Sequence, residues 1–419
     1  MKTFLRLIAV AALAATVCIP LPARALPSLS GSLPDLGSID AKAVVIIDAA
    51  TGTVLFAKNP DMPIPPASLT KIVTLHLVYN EIYAGRLKKD ELVTIDPRDC
   101  TPEIPYGSSI MYLRPGMKVS VLDLMQGAAV VSGNDAAFAL ARRVAGSNEA
   151  FAERMNQAVR DLGFAHMHFV EPSGLSELNM VTAREYALFA RRYLELHPES
   201  IAELHSLHYI QFPRAEHATP EFPVKGRYIQ YNRNEMVLHY PGCDGLKTGY
   251  IIEAGYNLAA TAVRGNTRFI IVTLGGRGTT GRGGGPTARM RDGKELMDWA
   301  FANFTTTVPK LEPFPALRAW YSSEGSTELR AVDTLAVTTP AGEASSVRAR
   351  VVLPSSLSVK SDLPEGTRVG EVIYSSGDRV LRRVDIVTAS SLSRANIFIV
   401  IKDAVSRFFM RLAGKPAAY

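Results

Sequence analysis

The period of the apolar positions changes several times along the chain, and each change marks an element. From Ala43 to Ala57 the run Ala43-Val44-Val45-Ile46-Ile47 and the run Val54-Leu55-Phe56-Ala57 read as two strands. Asp48 to Gly52 supplies the turn between them, with Gly52 free to take a positive φ. From Ser68 to Ala84 the spacing becomes helical, and Ile72, Leu75, Val78, Tyr79 and Ile82 fall on one face. Residues 120–163 read as mainly helical, with stripes at Val121, Leu124, Met125 and Ala128, at Phe138, Ala141 and Ala145, and at Phe151, Met155, Ala158, Val159 and Leu162. Thr182 to Leu196 is a further helix, opened by a capping box of Thr182 and Glu185. Strands return at Tyr256–Val263 and Arg268–Leu274, joined by the hairpin signal Arg264-Gly265-Asn266, and Met290 to Phe304 is again helical. The sequence 43–305 therefore predicts an α+β domain, an antiparallel sheet with helices packed on it.

Near Thr306 the pattern shifts. Residues 306–390 are rich in Val, Thr, Ser and Pro with short alternating runs such as Arg348–Leu353 and Val380–Val387, which predicts a small all-β domain. Residues 391–419 differ again: Ile397, Ile401, Val405, Phe408 and Leu412 line one helical face, and Arg394, Lys402, Arg407 and Arg411 lie mostly elsewhere. Lys402 and Asp403 interrupt any apolar stretch, so a spanning helix is not expected. A basic amphipathic helix suits the surface of an anionic bilayer; docking on the β domain is the other placement such a helix can take.

At the other end, residues 1–25 read as a secretory signal peptide. Lys2 and Arg6 precede the apolar run Leu7–Val17, and Ala23-Arg24-Ala25 is a small-x-small cleavage site. Residues 26–42 read as a linker. These features predict export across the cytoplasmic membrane, with the mature protein periplasmic and peripheral on the outer face of the inner membrane.

Composition bounds the remaining classes. The 419 residues are 47% hydrophobic and 21% charged, which suits a globular protein with a sizeable core. The net charge of +6 includes Lys2, Arg6 and Arg24 of the leader, and no run of Lys and Arg is interleaved with aromatics, so a nucleic-acid partner is not expected. Cys18 falls in the leader, but Thr16-Val17 before it is wrong for lipid attachment. Cys100 and Cys243 remain; an oxidising compartment permits a disulfide, and two unpaired thiols fit equally well. No metal-ligand spacing is present around His166, His168, His205 or His208.

Three short motifs carry chemistry. In Ser68-Leu69-Thr70-Lys71, a helix places Ser68 and Lys71 on one face. A serine hydroxyl needs a base to become a nucleophile, and a lysine whose pKa is lowered can be that base. In Ser132-Gly133-Asn134 a turn between helices is expected, with Gly133 permitting unusual backbone angles, Ser132 relaying a proton and Asn134 holding a substrate amide. Lys247-Thr248-Gly249 on an edge strand offers an ammonium, a hydroxyl and a backbone that a substrate can approach closely; the cation suits a free carboxylate. Each motif alone is common chance. Their order and rough spacing are those of one acyl-transfer site.

With these motifs, residues 43–305 resemble the peptidase domain of the low-molecular-mass penicillin-binding proteins, the serine D-alanyl-D-alanine carboxypeptidases of peptidase family S11. The resemblance extends to Pro66-Ala67 before the first motif, Asp135-Ala136 after the second, Gly245-Leu246 before the third and Ala254-Gly255-Tyr256-Asn257-Leu258. It also covers His168-Phe169, Pro172-Ser173-Gly174-Leu175, Thr182-Ala183-Arg184-Glu185 and Gly275-Gly276-Arg277. It implies a penicillin-binding/β-lactamase-like transpeptidase fold with an added β domain and an amphipathic tail.

The implied substrate is a peptidoglycan stem peptide ending in D-Ala-D-Ala, β-lactams are implied covalent inhibitors, and no cofactor or metal is implied. Ser68 would attack, Lys71 would be the base and Ser132 would pass the proton onward with help from Lys247. The backbone N–H groups of Ser68 and Tyr250 would form the oxyanion hole, worth roughly 3 kcal/mol per donor. Asn134, Lys247, Thr248, Gly249 and Tyr250 would bind substrate, and Arg233 and Arg282 are candidates for its terminal carboxylate. Many relatives carry His where this chain has Tyr250.

Three other readings compete. A β-lactamase needs a carboxylate to activate water, and Glu177-Leu178-Asn179 resembles such a motif; against it stand Gly133, where class A enzymes carry Asp, and the β domain and tail. A D,D-endopeptidase would use the same site. A catalytically dead binding protein would require a broken motif, and all three are intact.

Overall fold

The computed structural model describes residues 39–100, 104–278 and 285–413. The expected signal peptide, most of the linker and Arg282 lie outside the described residues.

Five antiparallel strands form the central sheet: β1 (Ala43–Asp48), β2 (Val54–Lys58), β3 (Cys243–Ile251), β4 (Gly255–Arg264) and β5 (Thr267–Gly276). Their order is β2-β1-β5-β4-β3, so β3 is an edge. Alternate side chains enter two cores. Val45, Ile47, Ile270 and Val272 face one, and Val44, Ile46, Leu258 and Ile271 face the other. With both faces covered, these strands need unbroken apolar runs rather than alternation with polar residues. Each buried Val or Ile contributes ~1.5–3 kcal/mol.

The first core is closed by a helical layer: α1 (Thr70–Tyr83), α2 (Val121–Val130), α3 (Asn134–Ala145), α4 (Asn148–Asp161) and α5 (Ala183–Leu196). Ser120 and Ser147 cap α2 and α4. At α5 the expected capping box is half formed. Thr182 Oγ accepts from the Glu185 N–H at 3.2 Å, but the Glu185 carboxylate turns to the backbone N–H and Nδ1 of His166 instead of reaching back.

The second core is closed by α6 (Pro286–Asn303), through Leu296 and Met297, and by the β-rich segment after it. That segment contributes Val337, Val347, Val372, Tyr374 and Ile386 to the same core, so it packs onto the back of the sheet. Its main sheet orders Leu329–Ala331, Arg379–Thr388, Arg368–Ser376 and Val347–Val352. Asp48, at the end of β1, is buried at the joint. Its carboxylate accepts from the Ala50 and Thr51 N–H groups and from the hydroxyls of Thr306 (2.6 Å) and Thr338 (2.8 Å). A buried carboxylate survives there because every lone pair has a donor.

The tail forms α7 (Ile397–Leu412), capped by Asn396. Asp403 is buried, accepts from the Tyr321 N–H at 2.7 Å and fixes the helix to the β domain; Arg407 lies over the Tyr321 ring. On the opposite side Ile397, Phe398, Ile401, Val405, Phe408, Phe409 and Leu412 are all exposed. The helix is docked by its polar side and presents its apolar side outward. Among the described residues no helix is long and apolar enough to cross a membrane. Cys100 and Cys243 are both free thiols, which settles the disulfide alternative.

Candidate active site

Ser68 sits in a 3₁₀ turn, Ala67–Leu69, that runs directly into α1. Neighbours hold the turn from three sides. Asn257 of β4 donates to the Pro65 carbonyl at 2.9 Å, and Tyr186 of α5 donates to the Leu69 carbonyl at 2.7 Å. From the third side comes the loop 171–179. Ala67 carries a φ of 50°, and Gly174 packs on it so closely that a Cβ there would lie 1.9 Å from the Ala67 oxygen and 2.8 Å from the Ser68 nitrogen. Gly174 itself has φ +86°, so both its freedom and its lack of a side chain are used.

Lys71, one turn on, is fully buried. Its Nζ donates to Ser68 Oγ (3.0 Å), Asn134 Oδ1 (2.7 Å) and the Ser173 carbonyl (2.6 Å). Burial pulls its pKa from 10.5 down to about 7, although the carboxylates of Glu171 and Asp135 pull the other way. An amine at that pKa is half deprotonated at neutral pH, as a general base requires.

The opposite wall is the turn between α2 and α3. Here the unusual backbone belongs to Ser132 (φ 62°), whereas Gly133 has an ordinary φ of −56°. Glycine is needed at 133 for space: a Cβ would meet Asp135 Oδ1 at 2.8 Å and the Met111 nitrogen at 3.2 Å. A non-glycine residue held at positive φ beside a nucleophile is strain kept by its surroundings. The turn is fixed by the Gly133 N–H to the Gly127 carbonyl and the Asn134 N–H to the Ser109 carbonyl, both 2.9 Å, and the buried Asp135 carboxylate next to it accepts from the N–H groups of Met111, Leu113 and Ala136.

The third wall is β3. Gly249 brings its backbone against the nucleophile turn; a Cβ there would lie 2.7 Å from the Pro66 oxygen and 3.1 Å from the Ser68 nitrogen. Ser68, Ser132, Asn134, Thr248, Gly249, Tyr250 and Arg233 all line one cleft of about 1170 Å³. Lys247 does not line it. Like Lys71 it is buried, and its Nζ donates to the Thr248 carbonyl at 2.9 Å. Burial first, and then Lys71, Arg289 and Arg233, hold its pKa well below 10.5. The site thus combines a nucleophile, a neutralised base and a cationic end in one trough.

A family model for D-alanyl-D-alanine carboxypeptidase, peptidase S11, matches residues 30–278. The chain belongs to this family. A second model, the C-terminal domain of penicillin-binding protein 5, matches residues 305–394. The D-alanyl-D-alanine carboxypeptidase DacC of Escherichia coli is 32% identical over 384 residues, 90% of each chain. The D-alanyl-D-alanine endopeptidase of Pseudomonas aeruginosa is 27% identical over 315 residues, 73% of this chain and 91% of its own. Among solved structures, penicillin-binding protein 5 from Haemophilus influenzae superposes with a TM-score of 0.73 at 30% identity, covering 87% of this chain and all of that one.

Within this S11 peptidase, three residues outside the three short motifs also shape the site. Arg289, on α6, lines the cleft, donates to the Gly249 carbonyl at 3.4 Å and lies over the Tyr256 ring. Burial pulls its pKa down to about 10, so it stays charged. Tyr256 stacks on Tyr250, ring centroids 4.4 Å apart, so Tyr250 contributes its ring as well as its backbone. Glu171 organises the loop under Lys71, accepting from the N–H groups of Ser173 (2.7 Å) and Gly174 (2.6 Å) and from Asn179 Nδ2 (2.9 Å). Glu171 adjoins the Pro172-Ser173-Gly174-Leu175 pattern, which was its only signal; Arg289 had none.

Proposed function

We propose that the protein is a serine D-alanyl-D-alanine carboxypeptidase that removes the terminal D-alanine from peptidoglycan stem peptides and is acylated by penicillins at Ser68. The observation that carries this is the buried Lys71 amine 3.0 Å from Ser68 Oγ, with its pKa drawn to about 7. Ser68 Oγ attacks the carbonyl between the two D-alanines as its proton passes to Lys71. The tetrahedral intermediate collapses, the C–N bond breaks, and the departing amine takes a proton through Ser132. Water then hydrolyses the ester on Ser68. Asn134, Thr248 and the backbone of β3 from Gly249 to Tyr250 position the peptide, and Arg233 and Arg289 attract its terminal carboxylate.

A β-lactamase reading finds less support. Glu177 is exposed at the cleft margin, and Asn179 is buried and bonded to Glu171 and Thr70. The carboxylates beside Lys71 are occupied: the half-buried Glu171 by the donors of its own loop, and the buried Asp135 by the N–H groups of Met111, Leu113 and Ala136. The endopeptidase relative matches less of this chain than the carboxypeptidases do, which favours the carboxypeptidase reading.

Export and peripheral attachment to the outer face of the inner membrane belong to the same proposal. The leader pattern at 1–25 and the outward apolar side of α7 support it. The test is incubation with a soluble pentapeptide ending in D-Ala-D-Ala, with mass identification of the products. Release of one D-alanine, absent in Ser68→Ala, supports the reading; no release, or sustained rapid turnover of nitrocefin, refutes it. For the tail, residues 39–390 alone should no longer sediment with anionic vesicles that the longer protein binds.

A further inference from the structure

Beside the cleft lies a second groove of about 690 Å³. The two share Tyr112, Ile229 and Gln230, so one runs into the other. Its walls are tied together. Gln230 Nε2 donates to the Met111 carbonyl at 3.2 Å and to the Phe212 carbonyl at 2.9 Å, joining the 109–114 segment to the hairpin formed by Tyr209–Gln211 and Ile229–Tyr231. The groove is therefore preformed.

Its junction with the cleft is unusual. Tyr112 has a φ of 68° and an exposed ring. The N–H groups on either side of it, at Met111 and Leu113, both donate to the buried Asp135 carboxylate, next in sequence to Asn134. A tyrosine at positive φ persists only where such bonds impose it. Asp135 thus ties the backbone at the mouth of the groove to the helix that carries Asn134.

The groove also carries uncompensated charge. Arg114 and Arg227 line it, and neither forms an ion pair among the described residues. The Arg114 guanidinium lies over the Phe222 ring, 5.3 Å from its centroid, which orients it without neutralising it. One acid, Glu221, stands at the rim against these two cations.

We infer that this groove is a specificity subsite for the acidic residues that precede the terminal D-alanines of a stem peptide, with Arg114 and Arg227 each meeting a carboxylate. A stem peptide bears free carboxylates upstream of the bond that is cut, and because the groove opens into the cleft at Tyr112, Ile229 and Gln230, a chain lying in the cleft has room to continue into it. Guanidinium groups pair with carboxylates in two-point geometry, and rings beside them cover the aliphatic atoms between the acids. The inference rests on the carboxypeptidase reading and adds to it the part of the substrate that is recognised away from the reaction.

The test uses three substrates that share the D-Ala-D-Ala end. The first is the pentapeptide L-Ala-γ-D-Glu-meso-diaminopimelyl-D-Ala-D-Ala. The second is the same peptide with its upstream carboxylates amidated. The third is diacetyl-L-Lys-D-Ala-D-Ala, which lacks the upstream residues. The unaltered enzyme should favour the acidic over the amidated pentapeptide by roughly tenfold or more in kcat/KM, less so at high salt. The double variant Arg114→Gln, Arg227→Gln should lose that preference while retaining its rate on the tripeptide and its labelling by fluorescent penicillin. A preference that survives in the double variant overturns the inference, as does equal use of both pentapeptides by the unaltered enzyme, or an equal loss on all three substrates. Failure of the unaltered enzyme to release D-alanine from any of them refutes the carboxypeptidase reading itself.

Discussion

Replacing Lys71 with Met tests the central electrostatic claim without relying on catalysis. In the unfolded chain Lys71 has its ordinary pKa of 10.5, and in the folded protein burial brings it to about 7. Between those values the unfolded chain holds a proton that the folded protein does not. Stability therefore rises with pH across this window, at up to ~1.4 kcal/mol per pH unit. It is fully present above pH 10.5 and is lost as pH falls toward 7. The whole window is worth about 5 kcal/mol. Methionine has a similar length and no charge, so Lys71→Met lacks this dependence. It also leaves Asn134 Oδ1 and the Ser173 carbonyl without their donor, which shifts its stability by a constant. The assay is urea unfolding of both proteins, followed by circular dichroism, from pH 6 to 9. The stability of the unaltered protein minus that of the variant should rise by about 2 kcal/mol between pH 7 and 9. Other groups titrate in both proteins and cancel to first order. A flat difference, or one that falls with pH, refutes a neutralised Lys71. The same pKa should set the midpoint, near pH 7, at which acylation by fluorescent penicillin switches on.

Three further outcomes are expected. Gly174→Ala forces a Cβ against the Ala67 carbonyl at a positive φ and should cost roughly 3 kcal/mol or more in urea unfolding; penicillin labelling should slow with it, and a variant of normal stability and rate would contradict the packing. Arg289→Gln should reduce kcat/KM for a peptide with a free C-terminal carboxylate by about tenfold and leave its methyl ester little changed; an equal loss on both would assign Arg289 to structure. Asp403→Ala removes the acceptor of the Tyr321 N–H and should free α7 for limited proteolysis near residue 396, at a cost of about 1–3 kcal/mol to helix docking. Unchanged protection of the tail would refute Asp403 as the anchor.

Much of this molecule was legible because its periods are strong. The strands of the central sheet, the helices on it and the hairpin at Gly265 follow from patterns that span a whole element. The three motifs were legible as a set because each lies next to a bond or turn that demands it. What escaped depends on distance in space. Gly133 suggested a backbone role by its type, yet the left-handed conformation belongs to the neighbouring Ser132, and Gly133 is needed because Asp135 fills the space where its Cβ would be. The type of Lys247 suggested an exposed cation, yet its side chain is buried and its pKa is held well below 10.5 by burial and by Lys71, Arg289 and Arg233, which no local pattern could show. Arg289 lies on α6, outside every motif, and reaches the cleft only because that helix brings it against the Gly249 carbonyl of β3. Asp403 looked like an interruption in the tail and proved to be its attachment point, because a helix pattern shows which side is apolar and not what the other side meets.

The placement of β3 at the end of the sheet has a consequence for how this protein fails. The other end strand, β2, has only five residues and finishes in Lys58. β3 has nine, and an exposed strand rim of that length invites pairing with another chain. It cannot be blunted by a proline or a bulky residue, because Gly249 must pass within contact of the nucleophile turn. The protection is recess: residues 245–249 are buried opposite the helical layer. Any injury that parts the helical layer from the sheet uncovers a ready template for self-association. Substitutions at Glu171 or Asp135 should therefore precipitate the protein while most of its helices and strands are still intact.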